Sequence, residues 1–435
     1  MMGTMSRRTF IRAAAAAPLV LPSRLWGATA PSGRINLLMI GTGRQGTNAN
    51  LKTLLGFEEL RVVGVCDVDR WRARNAKDLV DRHYRDQECR LFTDFREALG
   101  MEGVNAVMDS TPDHWHAHVS LAAIRKGYHV STEKPLTRYL AEGRALAGAA
   151  KQKGIVFRTD SECRTNSYMH KIAMLARNGY LGRIKRIEAG VPKGDEPGGK
   201  ATPMPVPEDL NYDLWLGPAP LKEYTLDRVH PVRNIMGRPG WMRCLDTCEG
   251  MVCNWGTHLL DVAQLANDTE RTGPVSVEGE GEYPAPDSGL WNVLIRFKLQ
   301  YRYASGVVLD YIMSKPYLRV EGEEGWVQGF WSTEGGLTAS DPKLLRLKFK
   351  ESDLKIPQRT DKGDFIHCIR NNAPGESMAD AEVGHRTCSV CQIGHIAIRR
   401  GRRLEWDPVK EQFTNDPEAN RMLTGSYRGP WKMEG

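Results

Sequence analysis

The sequence lacks the features that would place it in several protein classes. Its 435 residues contain no apolar run of roughly 20 residues, the length that crosses a bilayer, so we expect no stable membrane insertion. Its nine cysteines are scattered along the chain, which argues against a small disulfide-built fold. Internal repeats are also absent. What remains is a chain long enough for two or three domains with a sizeable core.

A strong excess of one charge sign is missing too, once the N-terminal segment is set aside. The formal net charge is +7, but four arginines lie within residues 1–30 without an acidic neighbour. The rest of the chain is nearly balanced, so we expect no nucleic-acid partner.

The N-terminal segment has the composition of an export signal. Ser6 to Arg12 reads SRRTFIR, and a short apolar run follows from Ala13 to Leu21. This order is typical of a twin-arginine signal, the route by which folded proteins are exported. We therefore expect residues 1–30 to be a signal peptide, with the twin-arginine translocase as a partner and a periplasmic or otherwise exported destination. An exposed basic helix on a cytoplasmic protein is the alternative.

A strand, a glycine-rich turn and a helix are predicted next. The apolar run Ile35 to Ile40 is typical of a strand buried on both faces of a parallel sheet. It leads into Gly41-Thr42-Gly43-Arg44-Gln45-Gly46, a G-x-G-x-x-G turn that lets a pyrophosphate approach the backbone at a helix N-terminus. A second apolar strand, Leu60 to Val65, is followed by Asp67, about 20 residues after the last glycine.

The residues around Asp67 bear on the choice of dinucleotide. A carboxylate here accepts hydrogen bonds from the adenosine ribose and repels a 2′-phosphate, so Asp67 and Asp69 favour NAD over NADP. Because an arginine can bind that phosphate, three neighbouring arginines favour NADP instead, namely Arg70, Arg72 and Arg74. A doubly wound sheet whose turn binds nothing is the alternative.

Several motifs, in this order, resemble those of the glucose–fructose oxidoreductase / inositol dehydrogenase / MocA family. The resemblance covers nearly the whole chain after residue 30. It rests on the glycine turn and Asp67, STPDHWH (Ser110 to His116), EKP (Glu133 to Pro135), LWLGPAP (Leu214 to Pro220), CNWGTHLLD (Cys253 to Asp261), FIHCIRNN (Phe365 to Asn372) and VGHRTCSVCQIGHIAIRRGRRLEWDP (Val383 to Pro408).

This resemblance implies an α/β fold. An N-terminal Rossmann domain with a doubly wound parallel sheet, residues 33–160, would precede an α/β substrate and oligomerisation domain with a large open antiparallel sheet, residues 161–400, and a C-terminal arm, residues 401–435. Such a sheet often mediates dimers or tetramers in the family, so we expect a homo-oligomer through a face rich in Val, Ile and Trp.

The cofactor-binding residues we expect are Gly41, Thr42, Gly43, Arg44, Gln45, Gly46, Asp67, Ser110, Thr111, Pro112, His116, Glu133 and Lys134.

Lys134 and His258 are the predicted catalytic residues. Removing hydride from a carbinol carbon requires a base for the hydroxyl proton, and burial beside a positively charged nicotinamide would make the Lys134 amine usable as one. In the resembled family the histidine of the CNWGTHLLD motif, here His258, binds the sugar and assists proton transfer. A carboxylate four residues earlier often takes part. Here that position is Asn254, whose amide cannot accept a proton.

The predicted substrate-binding residues are Arg164, Trp215, Asn254 and Asp261, with His230, Trp241 and Arg243 as weaker candidates.

One cluster with the spacing of zinc ligands is not expected to bind metal. His385, Cys388, Cys391 and His395 follow each other at helical intervals, so they lie along one face of a helix about 15 Å long. Such a row cannot surround one tetrahedral ion, and we predict no metal site.

An export signal for folded proteins in front of a dinucleotide-binding domain suggests a cofactor that is bound before export. We therefore expect an exported NAD(P)-dependent oxidoreductase that transfers hydride between a tightly held cofactor and a sugar or cyclitol hydroxyl. One alternative is an NAD-dependent glycosidase or lyase that oxidises its sugar transiently. A non-catalytic periplasmic sugar-binding protein is the other.

Overall fold

The computed structural model describes residues 33–331 and 335–433. The predicted export signal, residues 1–30, lies outside the described residues. No helix within the described ranges has both the length and the apolar composition required to cross a bilayer.

The first sheet has six parallel strands in the order β3-β2-β1-β4-β5-β6. Alternate residues of β1 pack into two separate buried clusters, Leu37 and Met39 on one face and Leu38 and Ile40 on the other. This explains the continuous apolar run and confirms the predicted doubly wound sheet. The strands are β1 (Ile35–Ile40), β2 (Leu60–Cys66), β3 (Arg90–Phe92), β4 (Ala106–Asp109), β5 (His129–Glu133) and β6 (Phe157–Asp160).

Helices cover both faces of this sheet. The glycine turn continues into a π-helical turn, Gly46–Leu51, and then into α1. Asp69 caps the next helix, α2, by accepting a hydrogen bond from the Arg72 backbone N–H. The helices are α1 (Lys52–Leu54), α2 (Arg70–Tyr84), α3 (Phe95–Ala98), α4 (His116–Arg125) and α5 (Leu140–Lys153).

The second sheet has nine strands in the order β13-β12-β11-β7-β10-β9-β8-β14-β15. Its paired strands are antiparallel except for β10 and β7, which are parallel. A tight turn at Ser305-Gly306 joins β9 to β10. The strands are β7 (Ile184–Val191), β8 (Ser276–Glu282), β9 (Arg296–Arg302), β10 (Val308–Met313), β11 (Tyr317–Gly322), β12 (Trp326–Phe330), β13 (Leu337–Ala339), β14 (Leu404–Asp407) and β15 (Gln412–Phe413).

Helices cover one face of the second sheet and connect it to the first. Apolar side chains from this face, α6, α9 and α12 form one large buried cluster, and α12 also packs against α5. The remaining helices are α6 (Ser167–Arg177), α7 (Tyr212–Leu216), α8 (Met251–Asn254), α9 (Gly256–Ala266), α10 (Pro342–Arg346), α11 (Asp361–Arg370), α12 (Ala381–Arg400) and α13 (Pro417–Arg421).

The segment predicted as a C-terminal arm contributes β14 and β15 to the second sheet before it crosses back. Near its end, the Trp431 ring packs against Phe95 and Trp115 of the N-terminal domain. A long connection without sheet strands, residues 192–250, likewise extends from the second domain toward the first sheet. Both segments thereby reach the edge where the first sheet's strands end.

Candidate active site

A single cavity of about 480 Å³ lies at the carboxyl ends of β1, β2, β4 and β5. This is where the strand order reverses around β1 and β4, the usual place for a ligand in an open α/β sheet. The N-terminal domain contributes the glycine turn and the loops after the strands. The second domain contributes residues of the long connection and three side chains near α9, namely Trp255, His258 and Trp331.

A Cβ atom would meet different surroundings at each of the three glycines of the turn. Gly41 has φ +86°, and a Cβ there would lie 2.4 Å from the Ser110 backbone. A Cβ on Gly46 would lie 2.2 Å from the Gly41 carbonyl oxygen, so this glycine allows close packing of helix and strand. A Cβ on Gly43 would meet no atom nearer than Arg72 Nη1, at 3.9 Å. The turn thus has open space at its middle glycine, which fits a pyrophosphate held by backbone N–H groups.

Asp67 lines the cavity, and its neighbours fix its orientation. The Thr42 backbone N–H and hydroxyl donate to Asp67 Oδ2 at 2.7 and 3.1 Å, and the Asp69 N–H donates to Oδ1 at 2.9 Å. Burial and the Asp69 carboxylate raise the pKa of Asp67. Thr42 is fully buried and lies outside the cavity lining. Its predicted cofactor contact is therefore corrected, because its polar groups hold Asp67.

Of the three arginines that favour NADP, only Arg72 lines the cavity. Arg72 is buried, and its Nη2 donates to the carbonyl oxygens of Pro231 and Asn234 at 3.1 and 3.4 Å. Arg70 and Arg74 are exposed and lie outside the cavity lining. The ribose end of the cleft thus presents a carboxylate.

His116 connects the two later strand-end loops. Its Nδ1 and Nε2 each lie 2.8 Å from a carbonyl oxygen, of Pro135 and Thr111 respectively. The predicted residues of both loops line the cavity together. These are Ser110, Thr111, Pro112, His116, Glu133 and Lys134.

Asn50 links the same two loops but carries no sequence motif. It lies in the π-helical turn, and its amide donates to both Ser110 Oγ and Glu133 Oε1 at 2.8 Å. Its partners are distant in sequence, so no local pattern could have identified it.

Lys134 and His258, the predicted catalytic residues, line the same cavity. Lys134 Nζ donates to the Asn254 backbone carbonyl at 3.1 Å. The His258 ring packs against two indoles that also contact each other, and its centroid lies 5.6 Å from that of Trp255 and 5.0 Å from that of Trp331. Burial, with a smaller effect of the Lys134 charge, lowers the pKa of His258 well below its usual 6.5. The imidazole is therefore neutral near pH 7, and its buried Nδ1 has no hydrogen-bond partner among the described residues.

Two of the predicted substrate-binding residues form a buried ion pair instead. Arg164 donates to both oxygens of Asp261 at 2.7 and 2.8 Å, and the Ser161 and Thr387 hydroxyls also donate to this carboxylate. Burial alone would raise the pKa of Asp261, but Arg164 holds it below its ordinary value. Neither partner lines the cavity. The prediction that Arg164 and Asp261 contact substrate is corrected, because their polar atoms are occupied by each other.

The other predicted substrate residues divide between the cavity and the surrounding structure. Trp215 and Asn254 line the cavity, as do the weaker candidates His230 and Trp241. Arg243 lies outside the lining, where it pairs with Asp195 and stacks on Trp291 at 4.1 Å. The cavity also contains Glu162, Arg238, Trp255 and Trp331, which sequence patterns did not identify.

The helical row of histidines and cysteines contacts separate partners. On α12, His385 lies 2.7 Å from Glu411, the Cys388 thiol faces the Thr137 carbonyl, and His395 lies 2.8 Å from the Tyr283 hydroxyl. Within the described part of the chain, no group of His, Cys, Asp and Glu is arranged to hold a metal ion.

Two family models match this chain over most of its length. Residues 35–161 match the oxidoreductase family's NAD-binding Rossmann fold, and residues 197–433 match its C-terminal alpha/beta domain. The chain therefore belongs to the Gfo/Idh/MocA oxidoreductase family, and its N-terminal domain is an NAD-binding Rossmann domain.

Curated relatives match shorter segments. A glycosyl hydrolase family 109 protein of Stenotrophomonas maltophilia is 27% identical over 200 residues, 43% of this chain and 42% of that protein. Inositol 2-dehydrogenase 1 of Paenarthrobacter aurescens is 24% identical over 212 residues, 47% and 58% of the two chains. Levoglucosan dehydrogenase of Pseudarthrobacter phenanthrenivorans is 32% identical over 92 residues, 21% and 24%. The chain thus matches less than two thirds of each relative's length.

Solved structures share the fold across nearly their whole length. The WlbA dehydrogenase of Bordetella pertussis, in complex with NADH and UDP-GlcNAcA, has a TM-score of 0.63 at 15% identity, covering 86% of this chain and 99% of that one. A levoglucosan dehydrogenase complex with NADH and levoglucosan has a TM-score of 0.60 at 17% identity, with the same coverages.

Proposed function

We propose that this protein is an exported oxidoreductase that transfers hydride between a tightly held NAD and a hydroxyl of a sugar or cyclitol. One observation carries the proposal. Lys134 and His258 line the same cavity as the glycine turn and Asp67, so a bound dinucleotide and its reaction partner would share one enclosed space.

The choice of NAD over NADP is supported by the ribose end of the cleft. Asp67 Oδ1 accepts only one hydrogen bond within the protein, so it can accept another from a ribose hydroxyl, whereas a 2′-phosphate would face its negative charge. Arg72 also lines the cavity, but its Nη2 is bound to the carbonyl oxygens of Pro231 and Asn234 and its Nε lies 3.5 Å from Asp69 Oδ2.

The mechanism we infer assigns separate tasks to Lys134 and His258. When bound, NAD supplies the hydride acceptor. Lys134 Nζ is anchored by one hydrogen bond to the Asn254 carbonyl, and its remaining N–H groups can bind the substrate hydroxyl oxygen and stabilise negative charge there. His258 is neutral, so a ring nitrogen can accept the hydroxyl proton without first losing one. The two residues remain the predicted pair for proton transfer.

A polyhydroxylated substrate fits the walls of the cavity. Trp215, Trp241, Trp255 and Trp331 contribute indole groups to the lining, and such surfaces pack against the apolar faces of sugar rings. The relatives named for inositol and levoglucosan support the same class.

Export is inferred from the first 30 residues and bears on how the cofactor is used. Because free NAD is scarce outside the cytoplasm, a nucleotide bound before translocation must be regenerated in place. A second sugar that returns the hydride would complete the cycle.

Transient oxidation within one glycosidic substrate is a second candidate. The relative named as a glycosyl hydrolase family 109 protein favours it. In that cycle the oxidised sugar loses its glycosidic substituent, adds water and regains the hydride.

The test is to purify the mature protein, extract its nucleotide, and follow nicotinamide absorbance as sugars are added. Reduction that persists until an acceptor sugar arrives supports the oxidoreductase. Brief reduction with release of an aglycone supports the hydrolytic cycle. Bound NAD that no carbohydrate reduces would contradict both and favour a sugar-binding protein.

A further inference from the structure

A segment of the second domain covers the dinucleotide cleft. Residues 229–242, here called the roof segment, belong to the long connection between β7 and α8. Five of its residues besides His230 line the cavity that also contains Gly43, Arg44 and Gln45 of the glycine turn. They are Gly237, Arg238, Pro239, Trp241 and Met242.

Two side chains near the start of α2 hold the roof segment in place. Asp69 Oδ2 lies 2.9 Å from His230 Nε2. Arg72 Nη2 donates to the carbonyl oxygens of Pro231 and Asn234. A third contact joins the π-helical turn after the glycines to the roof segment, since the Asn48 amide nitrogen lies 3.2 Å from Met236 Sδ.

The contacts that Asp69 and Arg72 make with the roof segment are here called the tethers. Both residues are buried, so breaking the tethers leaves polar groups without partners. Asp69 is 5% exposed and Arg72 is 3% exposed. Separating a buried charged group from its partners costs more than the hydrogen bond contributes in water, because the group loses solvation as well. Opening the roof segment would break the contacts of both residues at once.

The roof segment is also braced internally and against its own domain, where Arg238 pairs with Asp195 at 2.8 Å and Trp241 packs against a buried cluster. Asn234 Oδ1 accepts hydrogen bonds from the backbone N–H groups of Met236 and Gly237 at 3.1 and 3.0 Å. The Trp241 N–H donates to the Val229 carbonyl at 3.2 Å. Detaching the tethers would therefore free the segment from the N-terminal domain, while its contacts with the second domain remain.

We propose that Asp69, Arg72 and His230 are positioning residues that keep the roof segment closed over bound NAD and so slow its release. The inference rests on the proposed function, since it requires NAD in this cleft. It explains how a cofactor bound before export could remain bound where none is available to replace it. A nucleotide at the glycine turn leaves only when the roof opens, so its release rate is limited by how often the tethers break.

The experiment compares release of NAD from purified, NAD-loaded variants by chase with a fluorescent NAD analogue. R72M and H230A should release NAD about 10-fold faster or more, the effect of losing a charge-assisted hydrogen bond. H230Q retains an amide that can donate to Asp69, so its release should stay near the wild-type rate. R233A is the matched control, because this roof-segment arginine is 66% exposed and pairs only with Asp209 among the described contacts.

A second readout follows the roof segment without nucleotide. Hydrogen exchange of backbone amides in residues 229–242 should be faster in R72M and H230A than in wild-type protein, with the strands of the first sheet unchanged. If R72M does not fold, H230A decides the matter alone. Wild-type release and wild-type exchange in the folded variants would overturn the inference, whereas a wild-type protein that does not bind NAD would overturn the proposed function and the inference together.

Discussion

Lys134 is the residue on which the proposed chemistry depends most. Replacing it with methionine keeps similar bulk but removes every N–H group that could bind the substrate oxygen. K134M should lose hydride transfer by about 100-fold or more, the usual cost of removing a donor that stabilises a developing oxyanion, while its NAD content stays unchanged. The measurement is reduction of bound NAD under single-turnover conditions, with the exposed Lys126→Met as the control. Wild-type rates in K134M would remove lysine from the mechanism.

His258 should stay neutral in mildly acidic solution. Burial lowers its pKa below the ordinary 6.5, so the folded protein binds this proton only at lower pH than the unfolded chain does. Stability contributed at this site is therefore complete above pH 6.5 and declines as the pH falls below it. Histidine NMR should place the titration midpoint of His258 well below pH 6.5, and H258Q should flatten the stability profile below that pH. A midpoint near 6.5 would contradict the buried, neutral ring.

The motifs identified residues that line the cavity but not the residues that hold them. Asp67, Glu133 and Lys134 follow strands directly, and strand ends in a parallel sheet converge, so their proximity could be predicted. Asn50 and Arg72 act across the fold on partners far away in sequence, and no local pattern records such contacts. Thr42 lay within the motif, yet its polar groups hold Asp67 and do not face the cavity.

At the scale of elements, substitutions of two glycines in the turn can separate an effect on protein packing from an effect on NAD binding. G41A places a Cβ against the Ser110 backbone at a positive φ, whereas G43A places one in open space. G41A should lower the melting temperature and abolish NAD binding. G43A should keep the wild-type melting temperature but weaken NAD binding, because its methyl group occupies space needed by the pyrophosphate. Calorimetry with and without NAD measures both effects, and normal NAD affinity in G43A would contradict the assigned position of the ligand.

Helical periodicity predicted the faces of α9 and α12 but not their partners. Positions 258 and 261 lie about one turn apart on α9, yet one side chain lines the cavity and the other pairs with Arg164. The two kinds of sheet, one parallel and doubly wound and one antiparallel, were predicted because the apolar strand patterns and the family resemblance agree on them. The parallel pairing of β10 with β7 and the path of residues 192–250 depend on contacts between distant segments, which the sequence does not display.

At the scale of the molecule, the uncovered face of the second sheet is more charged than the expected Val, Ile and Trp surface. The valines and leucines of β11 and β12 point toward the helices. The opposite face carries Arg186 paired with Asp310 at 2.7 Å, and Arg319 close to Glu321 and stacked on Trp326. A homo-oligomer formed here would combine charge pairing with an aromatic contact.

This surface gives a prediction about assembly. If the expected homo-oligomer forms through this face, the double variant R186E/R319E should shift it to monomers, because both arginines are replaced by negative charges beside Asp310 and Glu321. Light scattering after size-exclusion chromatography measures the mass, and R82E/K151E, on exposed helix positions of the N-terminal domain, controls for the change in net charge. An unchanged mass in R186E/R319E would place the interface elsewhere.

The central claim is that NAD lies against the glycine turn and leaves the cytoplasm with the folded chain. Native mass spectrometry of the protein recovered from the periplasm tests this most directly. The account predicts the mass of the processed chain plus one NAD per subunit. A nucleotide-free chain whose mass does not change when NAD or NADP is added would contradict it.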